Sequence, residues 1–582
     1  MTAAPRWFDR RSVILLLVWM ISAAYVLPFL RRGWIPTDEG VFARAAEGIL
    51  KGGIPHRDFQ ETYTGALSYW NALAFKTLGV RLTSLRIFLL IAFLVFVPAV
   101  FAIASRFGRP WLAGLVAFLA VVWSVPNYFA ASVSWYNLFL AAGGTLALLR
   151  HVETAGRRWL FLAGACAGVS CLFKIIGAQF FAAALLFLLY RERHLRPVSE
   201  GPAGGGGKVS GYLAFLATGL AGFLAVLMVT VRQQPGAMEF LNFVVPSATI
   251  CGFLLWSEWR EGGAGLRRRF LELARMVLPL SLGFVFPILL FLVPIAAAGA
   301  LPDFARGTVV VTGRHVQSVR MHLPDLMAIW PAVPYTILLG AGSITVFRSR
   351  RRPLLALIAA AMVAVLWLSG ESEAVYRVTW YSARFLGVSV VFAACLRLAD
   401  AHRQGFWGPK TRQRIFLLAC VVALTGLVQF PYPQPIYFCY FAPLVALAIF
   451  ALVASEPAPP RLLHAGALAF YLLFAVLRAN PVYPYNLGQR FERYEAPSVL
   501  DLPRAGGLLV PAGDFRVYGT LIPLLQEKSG GKPIYAGPDC AQVQFLSGLP
   551  DALAFVPGMG EPIDRPDAVF QALRKADARA VV

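Results

Sequence analysis

"SVILLLVWMISAAYVLPFL", Ser12 to Leu30, holds no charged residue and is long enough to cross a hydrocarbon core about 30 Å thick. Arg6, Arg10 and Arg11 precede it. No small-residue cleavage site closes it, and many apolar runs follow, so it reads as a retained first span rather than a leader. The same reading repeats along the chain. Of 582 residues, 58% are hydrophobic and 14% charged, with mean hydropathy +0.65. A soluble chain carries about a quarter charged residues, so lipid is the solvent for most of this one. Apolar runs bounded by charge or proline give about fifteen spans.

Net charge is +23, and the basic residues are clustered. Arg106 and Arg109 form one group, and Arg150, Arg157 and Arg158 the next. Arg191, Arg193 and Arg196 precede a Gly-rich linker ending at Lys208. Then come Arg267, Arg268 and Arg269, the run Arg348, Arg350, Arg351 and Arg352, and finally Arg403, Lys410, Arg412 and Arg414. These clusters occupy alternate loops, which places those loops and the N-terminus in the cytoplasm. Span-end bias and anionic headgroups account for the charge, so membrane lipid is an expected partner and nucleic acid is not. Seven cysteines, an odd number without metal-ligand spacing, suggest no disulfide framework. "GPAGGGGK", residues 201–208, has no strand before it and no Ser or Thr directly after its Lys. It reads as a linker, and no nucleotide site has sequence support.

The outward loops differ in chemistry. "VPNYFAASVSWYN" (125–137), "ESEAVYRVTWYSAR" (371–384) and "FPYPQPIYFCYFAP" (430–443) are rich in rings, amides and proline. An interfacial anchoring belt is the plain reading of such rings. Several of these loops on one side also suit a carbohydrate, and Trp135, Tyr136 and Asn137 are the candidate sugar or acceptor contacts. The first outward loop, 31–83, carries a pattern. Thr37 can cap a helix with the stripe Val41, Ala45 and Ile49, ended by Gly52 and Gly53. A second amphipathic segment runs from Ala66 to Leu78 and stops at Gly79. Both are expected to lie along the membrane surface. After Leu477 no membrane run remains. "KPIYAGPD" reads as strand then turn, and "PDAVFQALRKADARAVV" as helix then strand, which makes a small α/β unit. The expected division is a multi-span transmembrane catalytic domain, 1–478, and an outward α/β domain, 479–582. The chain stops inside a strand pattern, so the second domain is open to being incomplete. The expected fold class is an all-α polytopic bundle carrying that unit.

Asp38 and Glu39 stand in "GWIPTDEG" directly beyond the first span. Charge beside a bilayer is costly and so invites a functional reading; acidic residues also favour a first helical turn with no other purpose. Downstream follow Gly52, Gly53, Pro55 and Asp58, then the helix ending at Gly79. This order resembles the GT-C class of integral membrane glycosyltransferases. Within that class it is similar to the branch of protein O-mannosyltransferases, lipid A aminoarabinose transferases and the RgtA/B/C/D-like family. The sharp match covers roughly fifty residues. One departure is that several relatives have a His-Pro-Pro run after the second Asp, where this chain has "QETYTG", which leaves the acceptor class open.

The resemblance implies a transferase of a bacterial inner membrane, with the C-terminal domain outside. It would move a hexosyl or pentosyl group from a polyprenyl-phosphate donor to a hydroxyl of a glycan, lipid or protein, by inverting displacement. Asp38 matches the base, Glu39 would bind a sugar or acceptor hydroxyl, and Asp58 is the second candidate base. The leaving phosphate needs fixed positive charge. Lys174, in "AGVSCLFKIIGAQF", is the best interior candidate, with snorkelling as its bland alternative. Arg57, Arg86 and Arg384 could clamp phosphate or merely anchor span ends. His315, His322 and Asp325 fit no zinc pattern, so neither metal nor cofactor is expected. A transporter or flippase of lipid-linked saccharides would show internal repeats and mid-span charge, and no clear repeat is present. A silent membrane scaffold would have lost the acidic site.

Overall fold

The structure is a computed structural model that describes residues 9–195, 211–232, 236–261, 266–311, 332–333, 352–431, 434–457, 461–477, 496–537, 540–553 and 566–582. The Gly-rich linker, the segment with His315, His322 and Asp325, the basic run Arg348 to Arg351 and residues 479–495 lie outside them.

The architecture is the expected all-helical bundle with little sheet. Among the described residues, nine helices are long and apolar enough to cross a membrane, and three shorter apolar helices accompany them: Leu357–Glu371, Ala442–Ser455 and His464–Leu477. The expected count was about fifteen. Part of the difference lies in α6 (Val133–Thr154) and α7 (Arg157–Phe173), whose Gly, Ser, Thr and Arg content lowers their hydropathy although both are packed inside the bundle. Small residues there have a packing purpose. A methyl group on Gly164 or Gly168 of α7 would collide with the carbonyls of Leu280 or Phe284 on the helix Leu266–Ala297, and one on Gly283 would strike Phe161. Bare backbone lets the two helices approach closely enough for van der Waals contact to replace a hydrophobic drive that lipid cannot supply.

The first loop folds as two helices, α2 (Pro36–Leu50) and α3 (Ala66–Leu78). Their C-terminal stops are the expected glycines: Gly52 and Gly79 take φ of 81° and 89°, which costs a glycine little. The N-terminal cap is not Thr37. The cap position is Ile35, two residues earlier, the helix starts at Pro36, and the Glu39 carboxylate reaches back to accept the Ile35 N–H at 3.0 Å. The buried face of α2 is also rotated from the expected stripe: of Val41, Ala45 and Ile49 only Ala45 is buried, and Glu39, Gly40, Phe42, Ala43 and Ala46 make up the rest of the buried face.

Part of that face, around Gly40, is covered by the C-terminal unit. Its strands pair as two small ladders, β1 (Ser498–Val499) antiparallel to β2 (Leu509–Val510) and β3 (Ile534–Tyr535) parallel to β4 (Ala580–Val581). The helix and strand expected at the chain end are Pro566–Lys575 and β4. The short helix Ala541–Ser547 lies so close to α2 that any side chain at Gly40 would collide with the Gln542 backbone. Arg504 donates to Glu47 at 2.9 Å and to the Phe545 carbonyl at 3.0 Å, and Phe545 stacks on Phe75 of α3 at 5.7 Å. The first loop is thus held between the bundle and the C-terminal unit.

Candidate active site

Arg86, early in α4 (Leu82–Ala104), is fully buried and spends its guanidinium on Glu39: Nε donates to Oε1 at 2.6 Å and Nη2 to Oε2 at 2.7 Å. Its remaining donors go to the carbonyls of Leu30, Arg32 and Gly33. With Ile35 N–H also on Oε2, both Glu39 oxygens are used. The pair expected to serve substrate hydroxyl and phosphate instead joins the start of α2 to α4. It fixes the direction in which the neighbouring residue, Asp38, points.

Asp38 is half-buried. One oxygen, Oδ2, accepts the phenolic O–H of Tyr128; Oδ1 has no hydrogen-bond partner among the described residues. Tyr128 follows α5 (Pro110–Val122) in a wholly buried stretch, and its carbonyl accepts the Trp135 indole N–H at 3.0 Å. Burial pushes the Asp38 carboxyl above the usual carboxylate range. The Tyr128 hydrogen bond pulls it back, Glu39 adds to the rise, and the charge of Lys174 opposes it.

Lys174 closes α7 in an extended conformation, with φ −154°. Its Nζ stands 5.5 Å from the Tyr63 ring centre and 5.7 Å from that of Tyr437, a cation between two π faces. Burial lowers its pKa to about 8, and Asp38 works against that fall. The two charges influence one another, and no ion pair joins them among the described residues. Thr64 donates to the carbonyls of Cys171 (3.0 Å) and Leu172 (2.5 Å), so the first loop is tied to the helix end that carries Lys174. Buried Glu61 orders the same turn by accepting from Ser68 and from Tyr63 N–H at 3.0 Å; burial raises its carboxyl, opposed by these bonds.

The other candidates lie differently. Asp58 is exposed and held in a two-pronged contact with Arg57, both bonds 2.8 Å, while Oδ2 also accepts Ile54 N–H at 2.8 Å. Those bonds keep its carboxyl below the ordinary range, which weakens it as a base. Arg57 further donates to the Ala298 carbonyl and anchors the loop to the helix Leu266–Ala297. Arg384 is 4% exposed; its Nε donates to Gln429 at 3.2 Å, while Nη2 is buried and unbonded. Among the described residues it has no carboxylate partner. Trp135 and Tyr136 do not offer ring faces to a sugar: they are 0% and 5% exposed. Trp135 packs against Tyr440 at 4.4 Å and Tyr136 stacks on Phe173 at 4.7 Å. They brace Tyr128 and the end of α7. Asn137 lines a cavity of about 30 Å³ with its amide unbonded. Tyr63, Tyr128 and Tyr437 were not singled out by residue, although the last two fall in ring-rich loops that the sequence flags. Among the described residues, no three His, Cys, Asp or Glu side chains converge to hold a metal ion.

Fold and site define a polytopic helical membrane protein with a half-buried acid in its first loop and a half-buried cation at the end of α7 whose charges influence each other. Neither a family model nor a curated protein matches the chain. Several solved structures are similar in three dimensions. The apo oligosaccharyltransferase of Archaeoglobus fulgidus shares 15% identity at TM-score 0.42, over 96% of this chain and 66% of its own. The same archaeal enzyme with an inhibitory peptide and a dolichol-phosphate gives 13% and 0.38, over 96% and 65%. ArnT from Cupriavidus metallidurans bound to undecaprenyl phosphate gives 15% and 0.31, over 94% and 86%. Both proteins are GT-C glycosyltransferases. The chain spans just under two thirds of the archaeal enzyme's length.

Proposed function

We propose that this chain is a glycosyltransferase that moves a sugar from a polyprenyl-phosphate donor to a hydroxyl acceptor at the outer face of a bacterial inner membrane. The observation that carries the reading is Asp38, bound through Oδ2 to Tyr128 with Oδ1 unbonded among the described residues, together with Lys174 held beside Tyr63 and Tyr437 and close enough for the two charges to influence each other. An acceptor hydroxyl hydrogen-bonded to Oδ1 attacks the anomeric carbon. The new C–O bond forms as the bond to the phosphate oxygen breaks, and the electron pair leaves on phosphate. Asp38 takes the proton, for which a raised pKa is an advantage. Lys174 meets the charge developing on the leaving phosphate in a partly dry site, where a fixed cation acts strongly. Attack opposite the leaving group inverts the anomeric centre, and no protein nucleophile is required.

The donor end is tested by Lys174→Ala. Titration of the purified variant with a polyprenyl-phosphate sugar should show donor KM raised by about tenfold or more, the worth of one charge-assisted contact. Unchanged donor kinetics in a folded Lys174→Ala protein would return this lysine to a snorkelling role.

A further inference from the structure

A second cavity, of about 290 Å³, opens at the other end of the bundle. Arg106, Arg414, Thr411, Gly408, Trp407 and Phe107 are among its lining residues. Arg106 follows α4, whose opposite end carries the Arg86–Glu39 pair, and the helix between them is about 27 Å long. The cavity therefore lies about one hydrocarbon thickness from Asp38.

Its charges do not cancel. Arg106, Arg150 and Arg414 all converge on Glu153: Arg106 Nε at 2.7 Å, Arg414 Nη2 at 3.2 Å and Arg150 Nη1 at 3.5 Å. Of these arginines only Arg106 and Arg414 line the cavity, so two guanidiniums there share one carboxylate and one positive charge is in surplus. The Arg106 side chain is only 8% exposed, and the Nε of Arg414 is buried without a hydrogen-bond partner. The helix Pro409–Thr425 starts at the same place. Gly408 caps it without a side chain, and the first backbone bond is from Arg412 N–H to the Gly408 carbonyl at 3.1 Å. The amides of Lys410 and Thr411 are then spare donors at the positive end of the helix. Trp407, pinned through its indole N–H to the Ser455 carbonyl at 2.7 Å, forms an aromatic wall.

We propose that this cavity binds a phosphate group, either the headgroup of an anionic phospholipid in the facing leaflet or free inorganic phosphate. Arginines in fork geometry and a helix start are the two donor sets that suit phosphate oxygens, and here they share one cavity. The surplus of positive charge selects an anion, and the aromatic wall suits a site at headgroup level.

Calorimetry on the purified full chain in detergent tests this with three probes: short-chain phosphatidylglycerol, the matching uncharged diacylglycerol, and inorganic phosphate. Saturable binding of phosphatidylglycerol or of phosphate, but not of diacylglycerol, is expected. Phosphatidylglycerol alone would identify a lipid headgroup, whereas phosphate binding alone would identify the free anion. Arg414→Gln should weaken the binding by about tenfold or more. Thr411→Asp should abolish it without lowering the unfolding temperature, because an acid in the first turn suits the helix while repelling phosphate. Saturation by neither anion, equal binding of diacylglycerol, or unchanged binding in two folded variants would overturn the proposal.

Discussion

Burial sets the ionisation of Asp38 and of Lys174, each charge opposing the other's shift, and this gives the site a pH signature. Burial raises the acid and lowers the base, so the two are drawn toward one working range. Turnover should rise as Asp38 loses its proton, at a pH above the ordinary carboxylate range. It should fall as Lys174 loses its own, near pH 8. The alkaline limb should also appear in donor binding, since the protonated lysine is the form that meets phosphate. Asp38 raises the Lys174 pKa, so Asp38→Asn should move that binding limb to lower pH. Donor binding measured against pH in both proteins checks this, and a limb that stays in place would uncouple the pair. Tyr128 holds the other oxygen of Asp38, so Tyr128→Phe should free it and lift the carboxyl further. The acid limb of turnover should then shift upward.

At the scale of elements, α2 is the part that must not move. Glu39 caps it, Arg86 locks it to α4, and Gly40 lets the C-terminal unit seat on it. Glu39→Ala leaves the Arg86 guanidinium buried and unpaired, which should cost about 3–5 kcal/mol and lower the unfolding temperature. A measured loss of activity with unchanged unfolding temperature would instead give Glu39 a direct substrate role. Gly40→Val should separate the C-terminal unit from the first loop, seen as faster proteolysis after residue 495. The C-terminal ends of α2 and α3 are legible in the sequence because glycine at φ > 0 is a local signal. Glu39 and Arg86 both stand out in the sequence, where they suggest separate roles, and the structure pairs them. Their pairing depends on α4 folding back onto the loop, which no local pattern encodes. Tyr128 escaped for a similar reason: the sequence shows a ring-rich loop but not which ring turns inward. Large rings in that loop suggest sugar faces at Trp135 and Tyr136, but packing buries both.

Across the whole molecule, the first loop and the C-terminal unit must share one side of the membrane, because Gly40 and Gln542 are in contact. The loop between the helices Glu373–Gln404 and Pro409–Thr425 stands at the end reached by Arg106. A membrane-impermeant thiol reagent should therefore label Lys528→Cys from outside intact cells and Gln404→Cys only after permeabilisation. Labelling of both from one side would break the topology. The central claim, sugar transfer driven by the first-loop carboxylate, meets its most direct test in nanodiscs. Purified protein is given a panel of polyprenyl-phosphate sugars with a hydroxyl acceptor, and released polyprenyl phosphate is measured. The account predicts release from at least one donor, reduced by about 10²-fold or more in Asp38→Asn while that donor still binds. Release from no donor by folded protein, or undiminished release in Asp38→Asn, would contradict it.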